Sequence, residues 1–580
     1  MRKRIASFII SLSITFGLFT KAGESSWMIQ NSRSFLWLPL FIFLHHETSF
    51  VLTNRKKRLS IFSAIPAFII SLCHLFGYVV HEKGTLFWLL KNINTAEIGL
   101  LHLFAWFLLF YIIIFRLFFS FQNAKIQEYP SDFRRKFIIF WIILVIAWLP
   151  WVLNQYPAVM TADTTDQIEM ALGIEQMTDH HPVFHTLLIK TALNLGKIFS
   201  GTNNSLQPGI ILFTTTQFLI MTAAFAIVLC YIYHSNTYKI IKIGTFLFFL
   251  LYPVHPIYSI TMWKDVPFSI TLMILILLFT KLLQKRKQNN IIIFILISAT
   301  GLILSLLRHN GIFILLLSIP FIPAFYKSQR KYLYIAFSIT ILLFFAWIHI
   351  ILPSHNIPEG EASEAFSIPL QQISLTAKRH HEKMNSDLLS EIGLYFSQPN
   401  IWSFYNSRLS DPVKILFSEE QYKKDPALFW KLWFKLGITY PQDYIDAFLI
   451  HTYGYWYPET PHHVFITGID DNGLFGIHMD PKLNCHWMKS IVQWVSESKY
   501  DNFPLLSLFF SPGACFWIYL ISFSYCLYRK HSAYFLFIPV FVLWMTAIAS
   551  PVNCEYRYVY GMFVCWPIII TALCDKKTSA

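Results

Sequence analysis

Residues 154–185 read NQYPAVMTADTTDQIEMALGIEQMTDHHPVFH and lie between two long apolar runs. In a chain otherwise poor in charge, this stretch gathers acidic and histidine side chains: Asp163, Asp166, Glu169, Glu175, Asp179, His180, His181 and His185. Ionisable groups beside hydrocarbon are costly, and proteins usually keep them there for function. The apolar runs therefore indicate the fold class, and the polar stretch between them is the candidate functional site.

The composition is that of a membrane protein. Of the 580 residues, 55% are hydrophobic and 13% are charged, whereas about 25% of the residues in soluble domains are charged. The net charge of +14 comes from Lys and Arg residues in short clusters between apolar runs. Such clusters are typical of cytoplasmic loops, so we predict that the chain lies in a lipid bilayer and binds no nucleic acid.

Apolar runs long enough to cross a bilayer, about 20 residues each, recur along the chain. They predict an all-α polytopic membrane protein. We expect about fourteen transmembrane helices, at residues 5–20, 35–53, 59–80, 97–121, 137–153, 208–233, 240–257, 262–282, 290–307, 311–326, 332–352, 506–528, 532–550 and 556–574. No small-residue cleavage site follows the first run, so we interpret it as an uncleaved helix.

The basic clusters predict the orientation of these helices. If the N-terminus is cytoplasmic, the clusters all fall on the inner side: residues 2–4, 55–58, 134–136, 239–242, 285–287, 330–331, 529–530 and 576–577. The C-terminus is then cytoplasmic as well. The unusual polar segments all face outward: residues 154–207, 251–267, 306–311, 353–505 and 550–560.

Composition also predicts a division of the chain into four parts. Residues 1–136 hold the N-terminal helices, 137–352 a membrane core with the loop 154–207, and 506–580 the last three helices. Residues 353–505 regain Lys, Glu, Asp and Gly and are long enough for an inserted, mainly helical extracytoplasmic domain. Within it, PALFWKLWFKLG has large residues at helical spacing, which favours a helix that packs onto its own domain or lies on lipid.

Asp163 and Asp166 are the candidate catalytic carboxylates. If residues 167–177 form a short helix along the membrane surface, Asp163 lies near its N-terminus. The helix dipole stabilises a charged carboxylate there, as a base or a cation ligand requires. The alternative interpretation is that Asp163 only caps the helix.

His180 and His181 precede Pro182, which is well placed to start the next helix. Two adjacent histidines without a carboxylate at matched spacing are a weak metal signal, so we assign no metal ligands and leave a divalent cation open as a cofactor. Hydrogen bonding to substrate or to the acidic loop is one interpretation, and a structural His-Pro turn is the other.

Lys264, Arg308 and Arg557 are predicted at the outer ends of three separate spans. Each cation alone could extend harmlessly to the headgroups. Together they suit a lipid phosphate or pyrophosphate, because Lys and Arg donate charge-assisted hydrogen bonds to phosphate oxygens. We therefore predict a reaction in which a carboxylate deprotonates an acceptor hydroxyl while cations neutralise a phosphate leaving group.

A series of motifs resembles the DUF6020 family of bacterial membrane proteins. The motifs follow in order from about residue 150 to the C-terminus: NQYPAVMTADTTDQ, HHPVFHTLL, WKDVPFS, RHNG, EAFSIPLQQISLTAKR, LSDPVKILF, YIDAFLIHTYGYWYPE and CEYRYVY. The layout is similar to that of GT-C glycosyltransferases, which use polyprenyl-phosphate-linked sugars. That resemblance implies a bacterial cell-membrane location, a cell-envelope acceptor, and Asp163 as the base or metal-coordinating residue, with Asp166 in reserve.

The chain departs from the GT-C pattern in two places. The acidic loop follows about five spans instead of one, so the first four helices are an added module. Ala158 also stands where the resemblance implies Gly after Tyr-Pro.

The leading hypothesis is a glycosyltransferase of the outer face. The alternatives are a transporter or flippase of envelope lipids and a non-catalytic envelope-assembly protein. Spans nearly free of charge at mid-depth, without an internal repeat, count against transport.

Overall fold

The computed structural model describes residues 2–19, 37–123, 132–201, 206–284, 291–325, 327–459, 461, 463–470 and 475–575. Within these ranges the fold is helical, and extended segments pair only at isolated β-bridges. The predicted all-α class is therefore confirmed. The basic clusters at 285–287 and 576–577, used for the orientation, lie outside the described residues.

Seven helical segments of the described chain are long and apolar enough to cross a membrane: Lys57–Lys83, Ile93–Gln122, Phe133–Asn154, Gln207–His234, Asp265–Gln284, Lys327–Ser354 and Tyr556–Cys574. Shorter apolar helices are Ile291–Leu307, Gly311–Ala324, Pro512–Tyr528 and Ser532–Ile548. Half of the expected fourteen spans therefore reach the required length. Local breaks account for part of the difference, since the run 240–257 is interrupted near Pro253.

The α-helices before residue 352 are α1 (Arg2–Phe19), α2 (Trp37–Thr53), α3 (Lys57–Lys83), α4 (Ile93–Asn123), α5 (Phe133–Asn154), α6 (Ala162–Leu172), α7 (Val183–Ser200), α8 (Gln207–His234), α9 (Lys239–Leu251), α10 (Val254–Tyr258), α11 (Asp265–Gln284), α12 (Ile291–Leu307), α13 (Gly311–Ser318) and α14 (Lys327–Ala346). Two 3₁₀-helices, Leu86–Leu90 and Ile319–Ala324, and the π-helix Trp347–Ile351 join them.

The block that follows contains α15 (Leu352–Ser354), α16 (Ser367–His380), α17 (Ser386–Gly393), α18 (Asp411–Lys414), α19 (Glu419–Lys424), α20 (Pro426–Thr439), α21 (Pro441–Thr452), α22 (His486–Ser496) and α23 (Pro504–Ser507). Its 3₁₀-helices are Ala362–Ala365, Ile401–Phe404, Tyr453–Tyr455 and Lys499–Asn502. The chain continues with α24 (Pro512–Tyr528), the 3₁₀-helix Ser532–Leu536, α25 (Phe537–Ile548) and α26 (Tyr556–Cys574).

The apolar interior has separate parts. The largest cluster joins the long helices, with α11 and α26 buried along most of their length and packed against each other. A second cluster is built from residues between 366 and 444 and includes Phe429, Leu432 and Leu436 of α20. The aromatic helix of residues 353–505 (the polar block) therefore packs onto its own neighbours. A third, small cluster lies under α6 and α7.

Close backbone contact fixes α7 against α8. A Cβ added at Gly196 would lie 2.2 Å from the backbone nitrogen of Gly209, closer than side chains approach. Glycine at both positions lets the two helices touch, and α7 is thereby held beside the large cluster. Because α6 packs against α7, the acidic stretch is tied to α8 through α7.

Candidate functional site

Three extended segments meet in front of α11. The Val159 N–H donates to the Ile260 carbonyl at 3.0 Å, and the Met262 N–H returns a bond to the Val159 carbonyl at 3.1 Å. On the other side, the Met160 N–H donates to the Gly468 carbonyl at 3.0 Å. The acidic stretch, the start of α11 and the polar block are thus joined through backbone hydrogen bonds.

Side chains then fix where α6 begins. Trp263 Nε1 donates to Thr161 Oγ1 at 2.8 Å, and Thr164 Oγ1 donates to the Met262 carbonyl at 3.3 Å. The helix ends at Gly173, whose φ of +76° suits glycine. Asp163 therefore lies in the first turn of α6. The sequence placed Asp163 near a helix N-terminus correctly, but the helix spans Ala162–Leu172 and not the predicted 167–177.

Asp163 forms an ion pair with Arg557 from the first turn of α26. Arg557 Nη1 donates to Asp163 Oδ2 at 2.7 Å, and the guanidinium carbon lies 4.9 Å from the Trp263 ring centroid. Burial raises the pKa of Asp163, but the positive charges of Arg557 and Lys264 outweigh it and hold that pKa well below its usual range. Asp163 is therefore a charged carboxylate at neutral pH.

Glu555 is a second carboxylate at the same place, and the sequence analysis missed it. Its residue is 4% exposed, and Oε1 lies 3.8 Å from Arg557 Nε. It stands at the N-cap of α26 without a capping hydrogen bond from its side chain. Burial raises the pKa of Glu555 to about 7, with Arg557 opposing the shift and Asp265 and Asp163 adding to it.

Asp163, Glu555 and Arg557 line one cavity of about 440 Å³. Its other walls are formed by Trp263, His463 and the segments 160–162 and 466–470. The cavity thus holds Arg557 between Asp163 and Glu555, two carboxylates whose pKa values are shifted in opposite directions, and Asp470 also lines it. Such a pair is typical of acid–base sites, in which one group stays charged and the other exchanges a proton.

Lys264, His181 and Asp166 form a chain of polar contacts beside this cavity. Lys264 Nζ donates to His181 Nδ1 at 3.0 Å, and His181 Nε2 lies 3.5 Å from Asp166 Oδ2. Burial lowers the pKa of His181, against the effect of Asp166, and it also lowers the pKa of Lys264. A neutral His181 is consistent with accepting from Lys264 and donating to Asp166.

Arg308 contacts the same aromatic ring as Arg557. Its Nη1 lies 2.7 Å from Oδ1 of the buried Asp265, at the first residue of α11. The guanidinium carbons of Arg308 and Arg557 lie 5.0 and 5.2 Å from the centroid of Tyr558. The structure therefore brings the three predicted cations to one region, although Arg308 and Lys264 do not line the 440 Å³ cavity.

His180 lies elsewhere. Its Nδ1 is 3.6 Å from Glu364 Oε1, and it lines a cavity of about 450 Å³ that is bounded by α13 and α14 and includes Phe313 and Phe344. The adjacent histidines thus face different surroundings, and only His181 contacts the candidate cations.

The buried His185 has an internal partner. Its Nδ1 lies 3.0 Å from Gln167 Oε1, which ties α7 to α6. Burial lowers the pKa of His185 to about 3. In the described ranges, no three or more His, Cys, Asp or Glu side chains are placed to hold a metal ion. Participation of a divalent cation stays a prediction.

The comparison with protein families matches residues 173–580 to the family of unknown function DUF6020. The match includes His180, His181, Lys264, Arg308, Glu555 and Arg557, and it begins after Asp163 and Asp166. Neither the comparison with curated proteins nor that with solved structures finds a match. Since the matched region is more than half of the 580 residues, the chain belongs to the DUF6020 family.

Proposed function

We propose that the protein is a membrane glycosyltransferase that moves a sugar from a polyprenyl-phosphate donor to a cell-envelope glycan or lipid. One observation carries this proposal: the Glu555 carboxylate and the Arg557 guanidinium lie together in a cavity beside Asp163. A proton acceptor and a phosphate-binding cation are the two groups that this transfer needs. The predicted GT-C-like layout is part of the same proposal.

The reaction joins the acceptor oxygen to the anomeric carbon of the sugar. The bond between that carbon and the phosphate oxygen breaks, and its electron pair leaves with the polyprenyl phosphate. The acceptor hydroxyl loses its proton to a carboxylate of the cavity. Arg557 and the nearby Lys264 stabilise the charge on the departing phosphate, a contribution of several kcal/mol in comparable sites.

We assign the proton transfer to Glu555. Asp163 was the carboxylate predicted from the sequence, but its short ion pair with Arg557 makes it a weak base. Glu555 lines the cavity, and no other described side chain donates a hydrogen bond to it, so it is the carboxylate that we assign to receive the proton of an acceptor hydroxyl. Asp163 then orients Arg557, and Asp166 orients His181 toward Lys264.

The placement in the membrane follows the sequence prediction. We propose that the four shorter apolar helices and α1, α2 and α9 are also embedded, giving about fourteen spans. Both termini are then cytoplasmic, and the cavity lies at the outer face of a bacterial cell membrane. The four-part division at residues 136, 352 and 505 belongs to this proposal. A membrane-surface site is required because the reactive end of a polyprenyl donor cannot leave the bilayer surface.

The proposal is tested with purified protein and radiolabelled polyprenyl-phosphate sugars. We expect transfer by the wild type and a loss of about 100-fold or more in Asp163→Asn, because Arg557 loses the carboxylate that orients it. Lys499→Ala is the matched control, since Lys499 is exposed and its one ion pair among the described residues is with Glu497. Equal transfer by the two variants would refute the role of Asp163.

A further inference from the structure

A second cavity lies at the end of α3, against the polar block. It has a volume of about 590 Å³ and is lined by His81, Lys378, Arg379, Tyr405, Arg408, Tyr453 and a few smaller or apolar residues. None of the described residues that line it carries a carboxylate. The volume lies within the range of small-molecule sites, roughly 300–1,000 Å³.

Arg379 is paired with two buried carboxylates. Arg379 Nη1 lies 2.7 Å from Asp443 Oδ1 and 2.8 Å from Asp446 Oδ2. The Asp446 side chain is 1% exposed, whereas that of Arg379 is 31% exposed. The negative charge is therefore enclosed by protein, and the positive charge faces the cavity.

Arg408 is oriented in the same way. Its Nη2 donates to the Tyr453 hydroxyl at 3.0 Å and lies 3.4 Å from Glu459 Oε1. The side chain of Glu459 is 10% exposed and that of Arg408 is 36% exposed. Two guanidinium groups are thus fixed by carboxylates that a ligand in the cavity would not meet directly.

Lys378 adds a charge that no described carboxylate balances. Its Nζ lies 5.1 Å from the Tyr405 ring centroid, and it takes part in no ion pair with the described residues. A structural salt-bridge network would not need this cation at the wall of the cavity. With the two guanidinium groups, it completes a set of donors suited to phosphate oxygens.

We propose that this second cavity binds a phosphate group carried on a polyol. The tyrosine hydroxyl and ring faces would contact the polyol, and Lys378, Arg379 and Arg408 the phosphate. Binding at the second cavity is independent of the proposed glycosyl transfer. An anionic lipid headgroup and a soluble glycerol phosphate unit share this chemistry, so the test separates these two sources.

The full-length protein in neutral detergent is titrated with glycerol phosphate. In parallel, protein in phosphatidylcholine vesicles is compared with protein in vesicles that also contain phosphatidylglycerol. We expect a saturable rise of the thermal midpoint with at least one of the two probes. A rise with glycerol phosphate identifies a soluble ligand, and a rise with phosphatidylglycerol alone identifies a lipid headgroup.

The variants Lys378→Gln and Arg408→Gln test whether the cavity is responsible. Lys378 is exposed, so its variant keeps the fold, and its affinity for the probe should fall about tenfold or more. Lys423→Gln, at an exposed lysine away from the cavity, is the control and should bind as the wild type does. Absence of binding to both probes, wild-type affinity in Lys378→Gln, or an equal loss in Lys423→Gln would overturn the proposal.

Discussion

Arg557 holds one carboxylate of the 440 Å³ cavity in a short ion pair and lies near the other. Its neighbours Trp263 and Tyr558 restrict the guanidinium by cation–π contact. A phosphate that enters the cavity would meet a guanidinium group whose orientation is already fixed. This arrangement avoids the reorganisation that a free side chain would require.

A double-mutant cycle measures the coupling of Arg557 to Asp163. We expect Asp163→Asn, Arg557→Gln and the double variant to show a stability coupling of about 1 kcal/mol, since the pair is partly exposed. Transfer should fall about 100-fold in each single variant. Additive stability effects would contradict the ion pair.

Glu555→Gln should change how stability depends on pH. The pKa of Glu555 lies near 7 in the folded protein and near 4.5 when unfolded, so the folded state binds the proton more tightly and wild-type stability falls as pH rises from about 4.5 to 7. Over that window the variant should gain up to about 3 kcal/mol relative to the wild type. Thermal midpoints between pH 4.5 and 8 measure the difference, with the exposed Glu382→Gln as control.

The residue types of the site were predictable, but not all their roles. Asp163 and Arg557 were selected because charge beside apolar runs is rare. Glu555 lies two residues before Arg557, yet the sequence does not say that its carboxylate is buried against the same cavity. The Glu555 backbone is held by a residue 100 positions away in sequence, since its N–H donates to the Tyr455 hydroxyl at 3.1 Å.

At the scale of elements, α7 positions the acidic stretch through its contact with α8. Gly196→Ala should separate the two helices and lower stability by about 2 kcal/mol or more, because the added Cβ would meet backbone that cannot move aside. Gly244→Ala in α9 has no atom within 4 Å of its added Cβ and should leave the thermal midpoint unchanged or raise it. A stable Gly196→Ala variant would show that α7 does not depend on this approach.

Apolar periodicity predicted where the helices lie along the chain, but it did not predict how long each helix is. The predicted span 556–574 coincides with α26, whereas the run 311–326 leaves α-helix at Ile319, next to Pro320 and Pro323. Hydrophobicity marks where a segment can be buried. Proline and local turns decide where the helix ends, and their effect depends on neighbours that the sequence does not reveal.

For the whole molecule, the proposed orientation can be measured by thiol labelling. With Cys485 replaced by Ser, Ser397→Cys in the polar block should react with a membrane-impermeant maleimide in intact cells. Lys56→Cys should react only after the cells are opened, because basic loops are retained on the inner side. Both residues are exposed at the protein surface. The opposite labelling pattern would show that the topology is inverted and that both cavities face the cytoplasm.

The fold class was predictable at this scale because composition alone distinguishes a membrane protein. The convergence of α6, α11 and α26 was expected from the orientation of the loops, but the second cavity was not. Its lining residues come from the end of α3 and from segments near residues 378, 408 and 453, and only the tertiary fold brings them together.

The central claim is that the protein transfers sugar from a polyprenyl-phosphate donor at the 440 Å³ cavity, with Glu555 as the proton acceptor. Its most direct test is the rate of transfer against pH for the wild type and Glu555→Gln. We predict a wild-type rate that rises as pH increases through about 7, where Glu555 loses its proton, and a variant slower by about 100-fold or more without that rise. Absence of wild-type transfer at every pH would contradict the enzyme assignment, and an unchanged profile in Glu555→Gln would contradict the role of Glu555.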